Sequence, residues 1–246
     1  MSYTAGMTSR ASPTDDPSRP KDAWIPHVVP FVGWIFLMQM LGDPAGWKYA
    51  VRSVVCLGLF LYCRAWRWYP RLNPRNILPA VGVGVFVYAF WIAFETDFFA
   101  RFEGLHRLYL TVGTQPPWKM AAVPDDLSYA PDVCGWPLTI TRLLGSAFVI
   151  SFIEEFFWRG WMYRWMLRDN FLDAGLGEMD WKMFVAVALM FGLIHDRWLV
   201  GFLCGLVYGG FVIRTRDVWA AGIAHAVTNF LLGGYIIWTE KWEFWP

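Results

Sequence analysis

Glu154 and Glu155 stand side by side inside an apolar run, Phe148-Val-Ile-Ser-Phe-Ile-Glu-Glu-Phe-Phe-Trp-Arg159. Neighbouring carboxylates repel each other, and an ionised side chain at the centre of a bilayer costs roughly 2.5–3.5 kcal/mol on insertion scales. A chain that keeps such a pair must compensate it inside the fold. Arg159 follows Glu155 by four residues, one helical turn, which puts the two within pairing reach. Glu154 then points about 100° away around the helix and needs partners of its own. The run reads as the interior of a bundle, not a lipid-facing surface.

Composition agrees with a membrane setting. The chain is 57% hydrophobic and 17% charged, against about 25% charged in ordinary soluble domains. A mean hydropathy of +0.35 and 17 Trp suit a polytopic protein with aromatic belts at both interfaces. The net charge of +1 gives no case for nucleic-acid binding. Cys56, Cys63 and Cys204 lie in apolar segments and Cys134 in a loop, with no Cys-x-x-Cys spacing. Disulfides and thiolate metal sites are not expected.

Residues 1–21 are rich in Ser, Thr, Pro and Asp and read as a disordered polar tail. The first apolar stretch, from about Trp24, has no small-residue cleavage site after it and reads as a retained span. Residues 22–246 form one integral membrane domain with no visible repeat, and its polar motifs fall within 139–240. The expected fold is all-α, a polytopic transmembrane bundle of about seven spans. These cover roughly 24–41, 48–63, 77–95, 139–163, 182–196, 198–213 and 217–238.

Loop charges set the expected orientation. One side carries Arg10, Arg19 and Lys21, then Arg64, Arg67, Arg71 and Arg75, then Arg164, Arg168 and Lys182, then Arg214 and Arg216. The other side is poorer in cations, with Lys48 beside Asp43, Arg197 beside Asp196, and the long 96–138 segment. In that segment Arg101, Arg107 and Lys119 face Asp97, Glu103, Asp125, Asp126 and Asp132. The pattern predicts the N-terminus inside and the C-terminus outside. Phe98, Phe99, Phe102, Leu105, Leu108 and Tyr109 repeat at helical spacing. They predict either a short helix in the outer interface or a loop packing its rings on the bundle.

Three spans carry further polar groups at similar depth. At 1.5 Å per residue, Glu154 lies roughly 15 Å from Arg164, and His195 roughly 20 Å from Lys182. His225 and Asn229 lie roughly 12 and 18 Å from Asp217. In a core about 30 Å thick, the four can meet in one cavity. His225 and Asn229 share a helix face, with Ala221, Gly222 and Gly233 near it to admit a close neighbour. Taken singly, each has a plain structural reading: Glu155–Arg159 as an ion pair, Asn229 as a helix–helix bond, Phe191 as core. It is the combination of Glu154, His195, His225 and Asn229 that points to chemistry.

Glu154-Glu155-x-x-x-Arg159, Phe191-x-x-x-His195 and His225-x-x-x-Asn229 occur complete and in order. Together they resemble the CPBP family of intramembrane proteases, which includes type II CAAX prenyl proteases and bacteriocin-processing or immunity proteins. The wording around them, Ile150-Ser-Phe-Ile-Glu-Glu-Phe-Phe-Trp-Arg-Gly160 and Ala224-His-Ala-Val-Thr-Asn-Phe-Leu-Leu-Gly233, is similar to that of CAAX protease-related proteins associated with bacterial exosortase (PEP-CTERM) systems. The resemblance implies an endopeptidase of a bacterial inner (cytoplasmic) membrane, acting on a membrane-associated protein or peptide. It implies Glu154 as general base on a water also held by His195, and His225 and Asn229 as donors to the oxyanion. Glu155 and Arg159 would orient the motif helix and offset its charge, with Phe191 in support. No metal cofactor or covalent intermediate is needed.

Three other readings stay open. Glu154, His195 and His225 also suit zinc ligation in a metallopeptidase, although no His-Glu-x-x-His signature is present. The same fold serves non-enzymatic membrane partners and immunity factors. Intramembrane Glu and His also build proton relays in transporters, which the missing inverted repeat disfavours.

Overall fold

A computed structural model describes residues 22–42, 45–114 and 127–245. The polar tail over 1–21, together with Asp43, Lys119, Asp125 and Asp126, lies outside the described residues. Among the described residues all regular structure is helical. Seven apolar helices make the bundle: α1 (Ile25–Leu41), α2 (Gly46–Cys63), α3 (Ile77–Ala93), α4 (Trp136–Leu167), α5 (Trp181–Leu193), α6 (Trp198–Thr215) and α7 (Val218–Thr239).

Five of these, α2, α3, α4, α6 and α7, are long and apolar enough to cross a membrane. The two others, α1 with 17 residues and α5 with 13, are apolar but shorter. At 1.5 Å per residue α5 covers roughly 20 Å, short of a bilayer core. The sequence predicts a span reaching 196, but the helix stops at Leu193. Gly192 packs against the start of α6 so closely that a Cβ there would lie 2.5 Å from Trp198 O. The chain turns at once, which leaves His195 on a bend and not in a helix.

Capping side chains set several helix starts. Asp180 Oδ1 accepts from Lys182 N at 2.9 Å and Met183 N at 3.1 Å at the head of α5. Asp217 Oδ1 accepts from Ala220 N at 3.1 Å at the head of α7. Its Oδ2 takes Asn73 N and Asn76 Nδ2, both at 3.0 Å, tying α7 to the loop before α3. Along their length α3 and α7 approach closely because Gly84 has no side chain: a Cβ there would lie 2.5 Å from Ala224 O. Thr228 Oγ1 donates to Gly84 O at 2.9 Å in the same contact.

Helix α4 is not uniform. Gly145–Ile150 and Phe156–Met162 wind as π-helix on either side of the α-helical turn Ser151–Glu155. π turns frequently accompany functional sites. Here they bracket the two carboxylates and change the face each presents.

The described part of the 96–138 segment combines a helical and a ring-packing character. Asp97–Ala100 and Glu103–Leu108 are short helices, followed by a π turn to Gly113. Phe98, Phe102, Leu105 and Leu108 are exposed, as on an interfacial helix. Phe99 and Tyr109 instead pack on Phe94, with ring centroids 4.8 and 5.0 Å away. The four cysteines, all described, are free thiols.

Candidate active site

One cavity of about 600 Å³ opens into the bundle, and Glu154, His195, His225 and Asn229 all line it. Three elements supply them: α4, the bend after α5, and α7. Phe191, Tyr208 and Thr228 complete that end of the wall.

Glu155 points away from the cavity and is fully buried. Its Oε1 accepts from Arg159 Nη1 at 2.9 Å and from His225 Nδ1 at 3.0 Å. Arg159 continues to Gly205 O on α6 at 3.1 Å through Nη2, and its guanidinium lies 4.4 Å from the Phe191 ring centre. A buried charge without a partner is costly, so this chain of contacts offsets two charges at once. It also aims His225. With Nδ1 on the carboxylate, the opposite nitrogen, Nε2, stands 4.0 Å from Glu154 Oε2. The Tyr208 ring stacks on the imidazole at 5.0 Å, and Tyr208 Oη donates to Thr228 Oγ1 at 2.7 Å.

His195 is fixed by the same principle. Its Nδ1 donates to Phe191 O at 2.7 Å, which leaves Nε2 as a lone-pair acceptor. Phe191 therefore has two roles, a backbone acceptor for His195 and a ring 4.7 Å from that imidazole. Glu154 Oε2 is buried and has no hydrogen-bond partner among the described residues. An orphaned buried carboxylate oxygen beside an imidazole nitrogen is a seat for a polar reactant.

Asn229 sits differently from the implied role. Its Nδ2 donates to Ser146 O at 2.9 Å and to Ser151 Oγ at 3.0 Å. Ser151 Oγ in turn donates to Ser146 O at 2.9 Å, across five residues. Two side chains, those of Ser151 and Asn229, share that carbonyl. Both Asn229 amide hydrogens are thereby engaged.

The bend that carries His195 is braced by Arg197. Its Nε and Nη2 donate to the two oxygens of Glu95 at the end of α3, the second at 2.8 Å. Nη1 reaches Glu243 O at 3.0 Å. Burial favours the neutral guanidine, but the hydrogen bonds and charge of Glu95 outweigh it and raise the Arg197 pKa above its ordinary value.

Among the described residues, no three His, Cys, Asp or Glu side chains are grouped to hold a metal ion. Sequence reasoning missed Tyr208, Ser146, Ser151 and the Glu95–Arg197 brace. It also passed over Arg52 and Arg142, which line the far end of the cavity. A charged residue in an apolar run was the available signal for both arginines.

Residues 136–231 match the family model for type II CAAX prenyl endopeptidases, Rce1-like. The match supports placement in the CAAX/CPBP protease family. It contains every motif residue from Glu154 to Asn229 and leaves α1, α2 and α3 outside. Comparison with curated proteins and with solved structures returns no match.

Proposed function

We propose that the chain is an intramembrane endopeptidase that hydrolyses a peptide bond with a glutamate-activated water. The observation that carries this reading is the orphaned Glu154 Oε2, 4.0 Å from His225 Nε2, in a cavity that His195 also lines. A water there gives one hydrogen to Glu154 and one to His195 Nε2. Glu154 takes the proton as the water oxygen bonds to the scissile carbonyl carbon, and returns it to the leaving amine as the C–N bond breaks. Protonated His225, its charge balanced by Glu155 across Nδ1, donates through Nε2 to the oxyanion. Asn229 joins it if its bond to Ser151 opens.

The water needs no metal in this mechanism. On this reading the membrane is the bacterial inner membrane, and the wording around the motifs, which resembles that of exosortase-associated proteins, favours a protein of the cell envelope as substrate. The test is proteolysis by purified protein in detergent, wild type against Glu154→Gln, with and without chelator. Cleavage by wild type alone, unaffected by chelator, is the expected result. Inhibition by chelator that zinc restores would transfer the case to a metallopeptidase. Wild-type behaviour of Glu154→Gln in cells would favour a non-enzymatic partner.

A further inference from the structure

The two ends of the bundle differ in charge and in how they are filled. One end gathers the loops 64–76, 164–182 and 214–217. Asp217 Oδ2 takes Asn73 N and Asn76 Nδ2, both at 3.0 Å. Arg164 Nε donates to Ala174 O at 2.7 Å, and Arg216 lies over Gly177, where a Cβ would be 2.7 Å from its Nε. These loops also carry Arg64, Arg67, Arg71, Arg75, Arg168 and Arg214. The opposite end gathers the close of α1, the start of α2, the chain before α4 and the chain after α7. A ladder of rings joins them: Trp34–Tyr49 at 5.5 Å, Tyr49–Tyr129 at 5.9 Å and Tyr129–Trp245 at 6.4 Å.

The cavity belongs to the second end. Of its lining residues, Met38 stands three positions before the end of α1, Tyr49 three after the start of α2, Trp91 two before the end of α3, and Trp245 beyond α7. Two lining side chains are exposed, Met38 on α1 and Ile194 on the bend, and they form an apolar rim. Towards the basic loops the way from Glu154 is filled. The Phe156 ring packs on Tyr69 at 5.2 Å and on Trp219 at 5.0 Å. Tyr69 Oη donates to His27 Nε2 at 2.8 Å, and His27 Nδ1 donates to Ala23 O at 2.9 Å. Phe171 stands against His27 at 5.1 Å. His27, Tyr69, Phe156 and Phe171 are buried, and none of the four lines the cavity. They make a floor between the carboxylates and the basic end.

We propose that the site is reached from the extracytoplasmic side, and that its substrate is a polypeptide presented there with an apolar stretch at the cut. The proposal rests on the peptidase reading of Glu154. Basic loops stay in the cytoplasm, so the floor of rings faces the cytoplasm and the Met38–Ile194 rim faces the other side. Glu154 lies roughly 15 Å from Arg164 along α4. In a core about 30 Å thick, roughly 15 Å then remain between the scissile bond and the outer surface. An extended chain covers that distance in about five residues. Those residues pass the apolar rim, which selects apolar side chains for them. The same opening delivers the hydrolytic water. A peptide offered from the cytoplasm meets the floor instead.

The test labels the rim and then follows cleavage, with the full chain in sealed bacterial membranes. Met38→Cys and Ile194→Cys are each treated with a membrane-impermeant maleimide, in spheroplasts and in inverted membrane vesicles. Asp169→Cys, exposed in a basic loop, marks the inner side, and wild type gives the background of the native thiols. The rim variants should label from the spheroplast side alone, and Asp169→Cys from the inverted side alone. The two rim positions lie on different elements, so either one decides if the other variant does not fold. Rim labelling from the inverted side, from the same side as Asp169→Cys, or from neither side overturns the proposal. Cleavage of an added apolar peptide should be roughly tenfold or more faster in spheroplasts than in intact inverted vesicles, because unpaired backbone groups keep a peptide from crossing hydrocarbon. Detergent should remove the difference. Equal cleavage by intact inverted vesicles also overturns the proposal and leaves the peptidase reading standing. Rim labelling from outside, with no cleavage in any preparation, would sink the peptidase reading and leave the side of access standing.

Discussion

His225 donates through Nδ1 to Glu155 at 3.0 Å, and that bond joins the adjacent pair of carboxylates to the helix that faces them. The oxygen that accepts it also accepts Arg159. Glu155 thus binds together α4, α6 and α7, while its neighbour Glu154 faces the cavity. Adjacent residues of one type are divided between support and chemistry by about 100° of helix rotation.

Removing Arg159 should therefore act first on stability. Arg159→Met leaves Glu155 buried with His225 alone, and breaking a buried pair costs about 3–5 kcal/mol. The expected outcome is a marked fall in folded yield and melting temperature in detergent. Glu155→Gln combined with Arg159→Met should recover part of that loss, because no uncompensated charge is left. Independent, additive losses in the double variant would show that the two side chains are not coupled.

Glu154→Gln should do the reverse. Its Oε2 holds no bond that the fold depends on, so the melting temperature should stay near that of wild type. Hydrolysis should fall by about 10²–10⁴-fold, the usual contribution of a general base. A variant that unfolds would mean that the carboxylate is structural after all.

Ser146 of the π turn and Ser151 just after it separate two roles for Asn229. If the amide turns towards the oxyanion, Asn229→Ala should cost about 10²–10³-fold in kcat. Ser151→Ala, which frees one amide hydrogen, should then keep most of the activity. A loss in Ser151→Ala as deep as in Asn229→Ala would make Asn229 a tie between α7 and the π turn.

Much of this arrangement was legible in the sequence. The apolar runs stand where the helices stand, because a 20-residue apolar stretch has few alternatives. Glu154, His195, His225 and Asn229 line one cavity, as their computed depths allow. Helix rotation and detailed depth were less legible. A straight-helix ruler takes 1.5 Å from every residue, but α4 passes through two π segments and α5 stops at Leu193. The Ser146 carbonyl accepts from both Ser151 and Asn229, and no pattern of residue types announces that. Glu95 and Arg197 are 102 positions apart, beyond any spacing rule. Arg52 and Arg142 were visible as charges in apolar runs, but their shared position on Tyr49 depends on how α2 and α4 pack.

That distant pair supports the last prediction. Arg197 follows His195 by two residues and fixes the bend to the end of α3 and to the chain near Phe244, whose ring centre lies 4.0 Å from the guanidinium. The bend is not held by helix hydrogen bonds on both sides, so the brace controls where the His195 imidazole stands. Glu95→Gln keeps one acceptor and removes the charge. Loss of a charge-assisted contact of about 1.5–3 kcal/mol should loosen the bend while leaving Glu154, Glu155 and His225 in place. The expected signature is a fall in kcat of about tenfold, since misplacing a catalytic group costs orientation, with a smaller change in melting temperature than Arg159→Met produces. Arg197→Lys should not restore activity, because one ammonium cannot reach both Glu95 oxygens and Glu243 O in the same geometry. Full activity in Glu95→Gln would show that α5 and α6 hold the bend without the brace.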